Sequence, residues 1–401
     1  MTPTGTIGLV VNPIAGLGGR VGLKGTDGET AKRRALEMGA VPEASNRAAT
    51  ALQSLHRLVP GIALLVAPGS MGEVAAKAAG VHHLVVGSLT GSPTSAADTR
   101  RLARDLRGAG AELLLFAGGD GTARDVESAV GTGVAVLGIP AGVKIHSSVF
   151  AIDPRAAGEI AAAVARGIPV ELLDEEVVDL DEDAYRAGRI DLRLHGVLRV
   201  PHFARLVQSR KVPTRATTSI ALQEIAIDVA ERVGHDALVL GPGTTTRAIA
   251  QRLGVAKTLV GVDVVDHQGS VASDVNEAQL IALAKRRALR LVISPTGGQG
   301  FLFGRGNQQI SPAVIKLVGR DRIEVVCAPA KLAALGGRPL LVDTGDSSVD
   351  AMLAGYFAIV TGYGERSMYR VATSEGGSPF QSVDDITNED SNQPIPKPGA
   401  A

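Results

Sequence analysis

The stretch Leu113-Leu-Leu-Phe-Ala-Gly-Gly-Asp-Gly-Thr122, followed by Ala-Arg-Asp-Val-Glu-Ser-Ala-Val130, decides the fold. It begins as an apolar run of strand length, and the residues after Thr122 have helical character. Three glycines and one carboxylate, Asp120, form the turn between them, which we call the GGDGT turn (residues 118–122). Glycine lets the backbone approach a ligand closely, and the following helix directs free N–H groups and a positive dipole end at an anion. The stretch therefore predicts a phosphate-binding turn, with Asp120 placed to handle a metal ion or a proton.

The segments around this turn repeat the alternation of strand and helix. We predict strands at 6–12, 62–66, 83–87, 113–118 and 134–137, and further along the chain at 258–265. Helices are predicted at 30–55, 72–79, 95–107 and from 122 onward, and Ser95 with Asp98 fits a capping box at the start of the third. This alternation is typical of βαβ units and a parallel sheet. Ligands bind at the carboxyl ends of such strands, where the turns after Asn12, Gly87 and Asp120 would lie. The fold class predicted for residues 1–167 is therefore an open parallel α/β domain that binds a nucleotide.

The composition of the chain agrees with an α/β class. Of 401 residues, 45% are apolar, 3% are aromatic and 49 are glycine, which suits many short turns between strands and helices. Lys plus Arg and Asp plus Glu each total 41, so the formal net charge is zero. This balance predicts no nucleic-acid partner and no attraction to an anionic membrane.

Cysteine content and hydropathy bear on the compartment. The single cysteine, Cys327, leaves no internal disulfide and no multi-cysteine metal site. The sequence contains no run of 18 apolar residues and no signal-peptide pattern at its start. We expect a soluble cytoplasmic protein that forms a homo-oligomer.

A long glycine-rich segment follows the first predicted strand, which ends at Asn12. We call residues 13–28 the glycine loop. It carries the glycines and cations that we predict to bind phosphate: Gly16, Gly18, Gly19, Arg20 and Lys24. Exposed backbone N–H groups and two positive charges suit a phosphate. The alternative is a long surface loop.

The character of the sequence changes near residue 168. We predict a substrate-side, β-rich domain over 168–345, with an α/β insertion around 217–290, a returning segment over 346–373 and a disordered tail over 374–401. An antiparallel hairpin is predicted from strands at 170–180 and 189–200. Its acidic residues over 174–183 are interpreted as a solvated face rather than a metal site. The threonines of the turn at 243–246 suit either a phosphate or simple helix caps.

The motifs favour phosphoryl transfer. This chemistry needs positioned phosphates, charge neutralisation by Mg²⁺ and a carboxylate that takes the proton of the acceptor. The sequence has no Walker loop, no protein-kinase catalytic loop, no nucleophile elbow and no His-Glu-x-x-His motif. A glycine-turn phosphotransferase of another kind is therefore expected.

The GGDGT turn looks like the signature of the superfamily of NAD kinases, diacylglycerol and sphingosine kinases, and phosphofructokinases. Further motifs follow in a set order: Asn12-Pro13 with the glycine loop, the GGDGT turn, Ile139-Pro-Ala-Gly-Val-Lys-Ile145 and Ile293-Ser-Pro-Thr-Gly297. This order resembles the ATP-NAD kinase family, and specifically its AcoX-like branch. The resemblance covers most of residues 5–345 and is weakest between 170 and 290.

The resemblance implies roles for individual residues. Asp120 would activate the ribose 2′-hydroxyl of NAD as the catalytic residue. The donor phosphates would be bordered by Asn12, Lys144 and the other residues of the turn, namely Gly118, Gly119, Gly121 and Thr122. Pro295, Thr296 and Gly297 would lie near the substrate. The metal ligands stay unknown.

The sequence departs from the family on the substrate side. The family's Ser-Thr-Ala-Tyr is here Gly298-Gln-Gly-Phe301, which removes the tyrosine hydroxyl. The family's Asn-Glu pair has only a poor counterpart in Gln223-Glu224. The acceptor is therefore the part of the resemblance that the motifs support least.

Several polar residues near the motifs each suit two roles. Asp125 either supports Asp120 or offsets the helix dipole. Lys144 and His146 either touch phosphate or acceptor or face solvent. Asp343 and Asp346 are interpreted as turn aspartates rather than ligands of Mg²⁺.

These observations lead to one leading function and two alternatives. We expect a kinase that transfers a phosphoryl group from ATP, or polyphosphate, to the 2′-hydroxyl of NAD with Mg²⁺ as cofactor, giving NADP. A kinase of the same fold with another small hydroxyl acceptor is the first alternative. A nucleotide-binding regulator without turnover is the second.

Overall fold

The computed structural model describes residues 5–23, 29–142, 145–180, 192–202, 207, 218–232, 234 and 236–373. Two predicted phosphate-binding residues, Lys24 and Lys144, lie outside the described residues, as does the predicted tail 374–401.

A seven-stranded sheet, the first sheet, carries the N-terminal part of the chain. Its strands in chain order are β1 (Ile7–Val11), β2 (Ala63–Val66), β3 (His82–Val85), β4 (Leu113–Gly118), β5 (Ala135–Pro140), β6 (Glu171–Leu180) and β7 (Leu192–His202). The spatial order is β3-β2-β1-β4-β5-β7-β6, and β1 to β5 are all parallel. The predicted open parallel α/β fold is thereby confirmed.

Six helices connect these strands. They are α1 (Glu29–Glu37), α2 (Ala44–Leu58), α3 (Glu73–Ala79), α4 (Ala96–Gly108), α5 (Asp120–Val130) and α6 (Pro154–Ala165). The single helix predicted over 30–55 is wrong, because the chain turns between α1 and α2. Gly39 adopts a φ of +78° there, and Pro42 follows in the connection. The capping box predicted at the start of α4 is present, since Ser95 and Asp98 bond to each other's backbone.

The predicted hairpin exists as β6 and β7, and it extends the first sheet. Ala135 of β5 pairs with Arg199 of β7 in parallel, and β6 then pairs with β7 in antiparallel register. The hairpin therefore covers the β5 edge, which would otherwise be open. The boundary predicted near residue 168 stays a prediction, but the strands directly after it belong to the first sheet.

Two smaller sheets form the rest. The second sheet contains β8 (Ala237–Leu240), β9 (Asp263–Asp266), β10 (Gly269–Ala272), β11 (Leu289–Ile293) and β13 (Ile323–Val325), in the order β10-β9-β8-β11-β13. The third sheet contains β12 (Phe301–Phe303), β14 (Leu340–Val342), β15 (Gly355–Gly362) and β16 (Glu365–Ala372), in the order β12-β14-β16-β15. The helices of this part are α7 (Thr218–Glu231), α8 (Thr244–Arg252), α9 (Glu277–Ala284), α10 (Pro312–Val318), α11 (Pro329–Ala333) and α12 (Ser347–Leu353).

The strand predicted over 258–265 begins only at Asp263. The carboxylate of this fully buried residue accepts hydrogen bonds from the backbone N–H of Thr258 at 3.1 Å and from its hydroxyl at 2.7 Å. The Lys257 ammonium pairs with the same carboxylate at 3.2 Å. These side-chain bonds fold residues 257–262 into a turn, so the apolar pattern overestimated the strand.

The main core lies on both faces of the first sheet. Strand β4 is buried along its whole length, and Phe116 contacts Phe150 edge-on with ring centroids 5.2 Å apart. This rigid central strand determines where the GGDGT turn emerges.

Candidate functional site

The carboxylate of Asp120 is held in a fixed orientation at the end of β4. Asp120 is the first residue of α5, and Gly119 is its N-cap. One carboxylate oxygen, Oδ2, accepts from the backbone N–H of His146 at 2.8 Å and lies 3.2 Å from the Nδ1 atom of that ring. The other, Oδ1, accepts from the backbone N–H of Ser147 at 3.0 Å. The side chain is 11% exposed, so the acid is nearly enclosed.

The segment that encloses Asp120 follows β5 and is anchored at several points. The backbone N–H groups of Ala141 and Gly142 both donate to the carbonyl of Gly118 at 2.9 Å. The Ser147 hydroxyl accepts from the backbone N–H of Val178 in β6 at 3.1 Å. The described residues 139–142 and 145–147, which we call the His146 segment, are therefore bound to the GGDGT turn and to the hairpin.

A side-chain hydrogen bond joins the GGDGT turn to the turn after β1. The Asn12 amide donates to the Thr122 hydroxyl at 2.9 Å, and the backbone N–H of Asn12 donates to the Ala117 carbonyl at 2.9 Å. Thr122 is buried, at 3% exposed. Two of the predicted phosphate-binding residues are thus in direct contact.

The described part of the glycine loop packs between the His146 segment and the second half of the chain. Gly16 has a φ of +82°, and a Cβ atom built on it would lie 2.5 Å from the Ala141 carbonyl oxygen, so only glycine fits there. Gly19 approaches Gln308 closely. The Arg20 guanidinium pairs with Glu43 at 3.0 Å, so part of the expected positive charge is already compensated.

The turn after β11, residues 294–300, reaches the Asp120 region. The buried Gln299 side chain donates to the carbonyl of Ile145 at 3.0 Å. Thr296 closes the turn itself, because its hydroxyl accepts from the backbone N–H of Phe301 at 3.0 Å. The segment that contains Pro295, Thr296 and Gly297 therefore lies against the residue that precedes His146.

A buried ion-pair cluster connects the N-terminal part of the chain, which carries the first sheet, to the part that carries the second and third sheets. Asp343 pairs with Arg305 at 2.7 Å and also with Arg47 of α2, which donates further to the Pro140 carbonyl. Burial acts to raise the pKa of Asp343, but the two guanidinium groups outweigh it and lower the pKa from its ordinary value. Burial and the nearby charge of Asp343 raise the pKa of Asp153, the N-cap of α6, to about 7.

The sequence motifs do not identify Arg47, Arg305 or Asp153, and Asp343, interpreted from its position as a turn residue, pairs with both arginines. One signal was available: Arg47 lies on the apolar face of α2, next to the buried Ala44, Ala48 and Ala51. A cation on a buried helix face indicates a partner from elsewhere in the chain.

Two cavities border the glycine loop rather than Asp120. One of about 610 Å³ lies between α2, the start of α6 and residues 342–350, and one of about 30 Å³ lies between the glycine loop and residues 304–312. Arg20, Glu43, Arg47 and Asp343 line both. Asp120 lines neither of these two cavities.

Hydroxyl groups in the turns next to the second sheet form hydrogen bonds to other groups of the protein. The Thr246 hydroxyl donates to the Gly241 carbonyl at 2.6 Å. The Ser294 hydroxyl donates to the Thr245 hydroxyl at 3.3 Å. The Lys331 ammonium donates to Ser294 at 3.1 Å, and burial lowers its pKa. Thr246 thus donates to carbonyl groups of its own turn, and the N-cap of α8 is Gly243, which has no side-chain cap bond.

The remaining predicted acids have protein partners. Asp125 pairs with Arg100, and Asp346 is the N-cap of α12 and pairs with Lys316 at 2.7 Å. Within the described part of the chain, no three His, Cys, Asp or Glu side chains group so as to hold a metal ion. No described helix is long and apolar enough to span a membrane.

Two protein-family models match the chain. The model described as ATP-NAD kinase N-terminal domain matches residues 7–168, and the model described as ATP-NAD kinase C-terminal domain matches residues 235–371. The first match contains the GGDGT turn and the His146 segment, and the second contains the turn after β11. Searches of curated proteins and of solved structures give no match.

Proposed function

Because the chain belongs to the ATP-NAD kinase family and is an ATP-dependent kinase, we propose that it transfers a phosphoryl group from ATP to the 2′-hydroxyl of NAD. The family predicted from the motifs is confirmed, whereas the AcoX-like branch stays a prediction. We also propose that the enzyme acts in the cytoplasm and as a homo-oligomer.

The observation that supports this proposal most is the fixed carboxylate of Asp120 in the GGDGT turn, which contacts the turn after β1. Phosphoryl transfer depends mainly on positioning and charge stabilisation, and an oriented acid beside glycine turns supplies both. We propose that the Asp120 carboxylate assists the removal of the acceptor proton. The donor phosphates would lie on backbone N–H groups and cations of Asn12, Gly16, Gly18, Gly19, Arg20, Lys24, Gly118, Gly119, Gly121, Thr122 and Lys144.

Mg²⁺ is proposed to arrive with the donor. In nucleotide sites this ion is commonly held by phosphate oxygens, water and one or two carboxylates, so a three-residue protein cluster is not required. Bound in this way, Mg²⁺ would neutralise charge on the transferred phosphoryl group. We assign no protein ligand to it. Polyphosphate is an alternative donor, because the glycine turns would recognise phosphates rather than a base.

We propose that the acceptor lies against Pro295, Thr296 and Gly297. The position of Gln299 favours the first alternative, a different small hydroxyl acceptor. The family has a threonine there, and Gln299 instead inserts a buried amide that bonds Ile145 at 3.0 Å. A buried amide side chain thus replaces the family's short hydroxyl side chain in the turn proposed to contact the acceptor.

The proposal is tested by incubating the purified protein with MgATP and NAD⁺ and measuring NADP⁺ and ADP. We expect NADP⁺ from the wild type and a loss of at least about 100-fold in Asp120→Asn. Asp125→Asn is the matched control, since it removes a carboxylate one helical turn later that pairs with Arg100.

Three outcomes separate the candidate functions. NADP⁺ formation supports the proposal. ATP consumption only with another acceptor from a panel of hydroxyl compounds would favour the first alternative. Nucleotide binding without any ATP consumption would favour the second alternative, a nucleotide-binding regulator.

A further inference from the structure

We propose that Nε2 of His146 receives the proton of the acceptor hydroxyl, with Asp120 orienting the imidazole and stabilising its protonated form. This inference rests on the proposed kinase function and deepens it. From the sequence, His146 suits either a contact with a ligand or a solvent-exposed position in a loop. In the structure, His146 is only 3% exposed, so it does not face solvent.

The Asp120 carboxylate is already engaged by protein donors. Its two oxygens accept from two backbone N–H groups, at 2.8 and 3.0 Å, and Oδ2 also faces the His146 ring at 3.2 Å. These three contacts use three of the roughly four lone-pair sites of the carboxylate, so most of the positions from which it would accept a substrate proton are taken. Asp120 is therefore better placed to orient a base than to act as one.

The ring of His146 has a defined tautomer and an unpaired nitrogen. A carboxylate oxygen only accepts, so Nδ1 carries the hydrogen that points to Asp120, and Nε2 keeps a lone pair. Nε2 is buried and has no hydrogen-bond partner among the described residues. Leaving a buried acceptor unpaired costs free energy, and such an atom calls for an explanation. A substrate hydroxyl that donates to Nε2 would supply the missing bond.

Two further histidines show that an unpaired ring nitrogen alone does not mark a base. His56 and His202 also have a buried ring nitrogen without a partner among the described residues. In that same part of the chain, neither of them forms a hydrogen bond to a carboxylate, and neither lies in a turn after a parallel strand. His146 combines the orphan nitrogen with an acid on the opposite side of the ring.

His146 lies between the two halves of the chain. The preceding residue, Ile145, accepts from Gln299 of the turn proposed to contact the acceptor. The following residue, Ser147, is bonded to β6 through Val178. The imidazole is thus held by its neighbours in the chain and by Asp120, which is the pre-organisation that a general base requires.

Proton transfer and phosphoryl transfer both take place at the oxygen atom of the acceptor hydroxyl. The acceptor O–H bond breaks and its proton moves to Nε2, while the oxygen forms a bond to the terminal phosphorus of ATP. The bond between that phosphorus and the bridging oxygen breaks, and ADP leaves with the electron pair. The imidazolium stays paired with the Asp120 carboxylate until its proton passes to water. No oxidant or further reactant is required.

The test uses the full-length enzyme with MgATP and the acceptor that it phosphorylates. His146→Asn keeps an amide that donates toward Asp120 but removes the base, and we expect kcat to fall by about 10²- to 10⁴-fold. The KM values for ATP and acceptor should change less than about 3-fold. Asp120 is the charged group in hydrogen-bond contact with the ring among the described residues.

A matched control and a second variant complete the design. His195→Asn removes another histidine paired with an acid, Glu127 at 3.4 Å, and should leave kcat within about 2-fold. If His146→Asn fails to fold by circular dichroism, His146→Gln provides the same test with an amide near the Nε2 position.

The outcomes distinguish this inference from the proposed function. A wild type that phosphorylates no acceptor would overturn both. An active wild type whose His146 variants keep normal kcat, while Asp120→Asn is inactive, would overturn the inference alone and make Asp120 the base. Loss of kcat with nearly unchanged KM values in the His146 variants supports it.

Discussion

The side-chain amide of Asn12 donates a hydrogen bond to the hydroxyl of Thr122 at 2.9 Å, across 110 residues of sequence. The two residues lie at the carboxyl ends of β1 and β4, which are neighbours in the first sheet. Strand order therefore brings the glycine loop beside the GGDGT turn, and this bond, together with the one from the Asn12 backbone N–H to the Ala117 carbonyl, holds them in contact.

Breaking this bond should loosen the two turns. We expect Thr122→Val to lower the free energy of unfolding by about 1–2 kcal/mol, because the hydroxyl is lost and the Asn12 amide is left without its partner. Urea unfolding measures the effect, and calorimetric titration should show weaker ATP binding. Ser128→Ala, which removes an exposed hydroxyl from the same helix, should leave both nearly unchanged. Equal effects of the two substitutions would contradict this account.

The glycines of the GGDGT turn should differ in what they contribute. A Cβ atom at Gly118 would lie 2.4 Å from the Cβ atom of Thr122, whereas a Cβ atom at Gly121 would meet nothing within 4 Å. We therefore expect Gly118→Ala to lower the thermal midpoint markedly and Gly121→Ala to preserve it. If phosphates approach the turn closely, Gly121→Ala should still raise the KM for ATP. A stable Gly118→Ala protein would show that the turn can shift.

The ion pairs of Asp343 should stabilise the contact between the two halves. Asp343→Asn leaves the buried guanidinium groups of Arg47 and Arg305 without a counter-charge, and we expect a loss of about 3–5 kcal/mol. Denaturant unfolding measures it. Arg33→Ala breaks an exposed pair with Glu37 and should have almost no effect. The Asp343 contribution should also weaken in acid, since its folded pKa is lowered and its stabilisation is lost as the pH falls through that value.

Asp153 should give the opposite pH dependence. Its folded pKa is raised to about 7, above the unfolded value, so its contribution is fully present below the unfolded pKa and is lost as the pH rises through 7. Asp153→Asn keeps an N-cap for Ala156 and removes this titration. The stability of the variant relative to the wild type should therefore rise from about pH 5 to about pH 7 and stay constant above that value. Urea midpoints measured at several pH values test it.

A second N-cap aspartate is the control. Lys316 and Ser348 lower the pKa of Asp346, so this group stays ionised throughout that range. Asp346→Asn should therefore shift stability by the same amount at each pH. Parallel curves for the Asp153 variant and the wild type would mean that Asp153 is ionised at neutral pH.

Local patterns predicted much of the fold but not its long-range contacts. The run before Gly118 and the capping box of Ser95 identified β4 and α4, because both signals act within a few residues. The break between α1 and α2 and the turn before Asp263 were missed. In each, a glycine conformation or a side-chain bond outweighed the apolar periodicity.

The sequence by itself determined the order of strands, glycine turns and helices, and with it the family and the place of Asp120 at a strand end. Only the tertiary structure decided what Asp120 contacts. The His146 segment covers its carboxylate, and Arg47 meets Asp343 across 296 residues. The physical reason is that hydrogen bonds and buried ion pairs depend on distances that sheet packing sets, whereas propensity and hydrophobic period describe only neighbours along the chain.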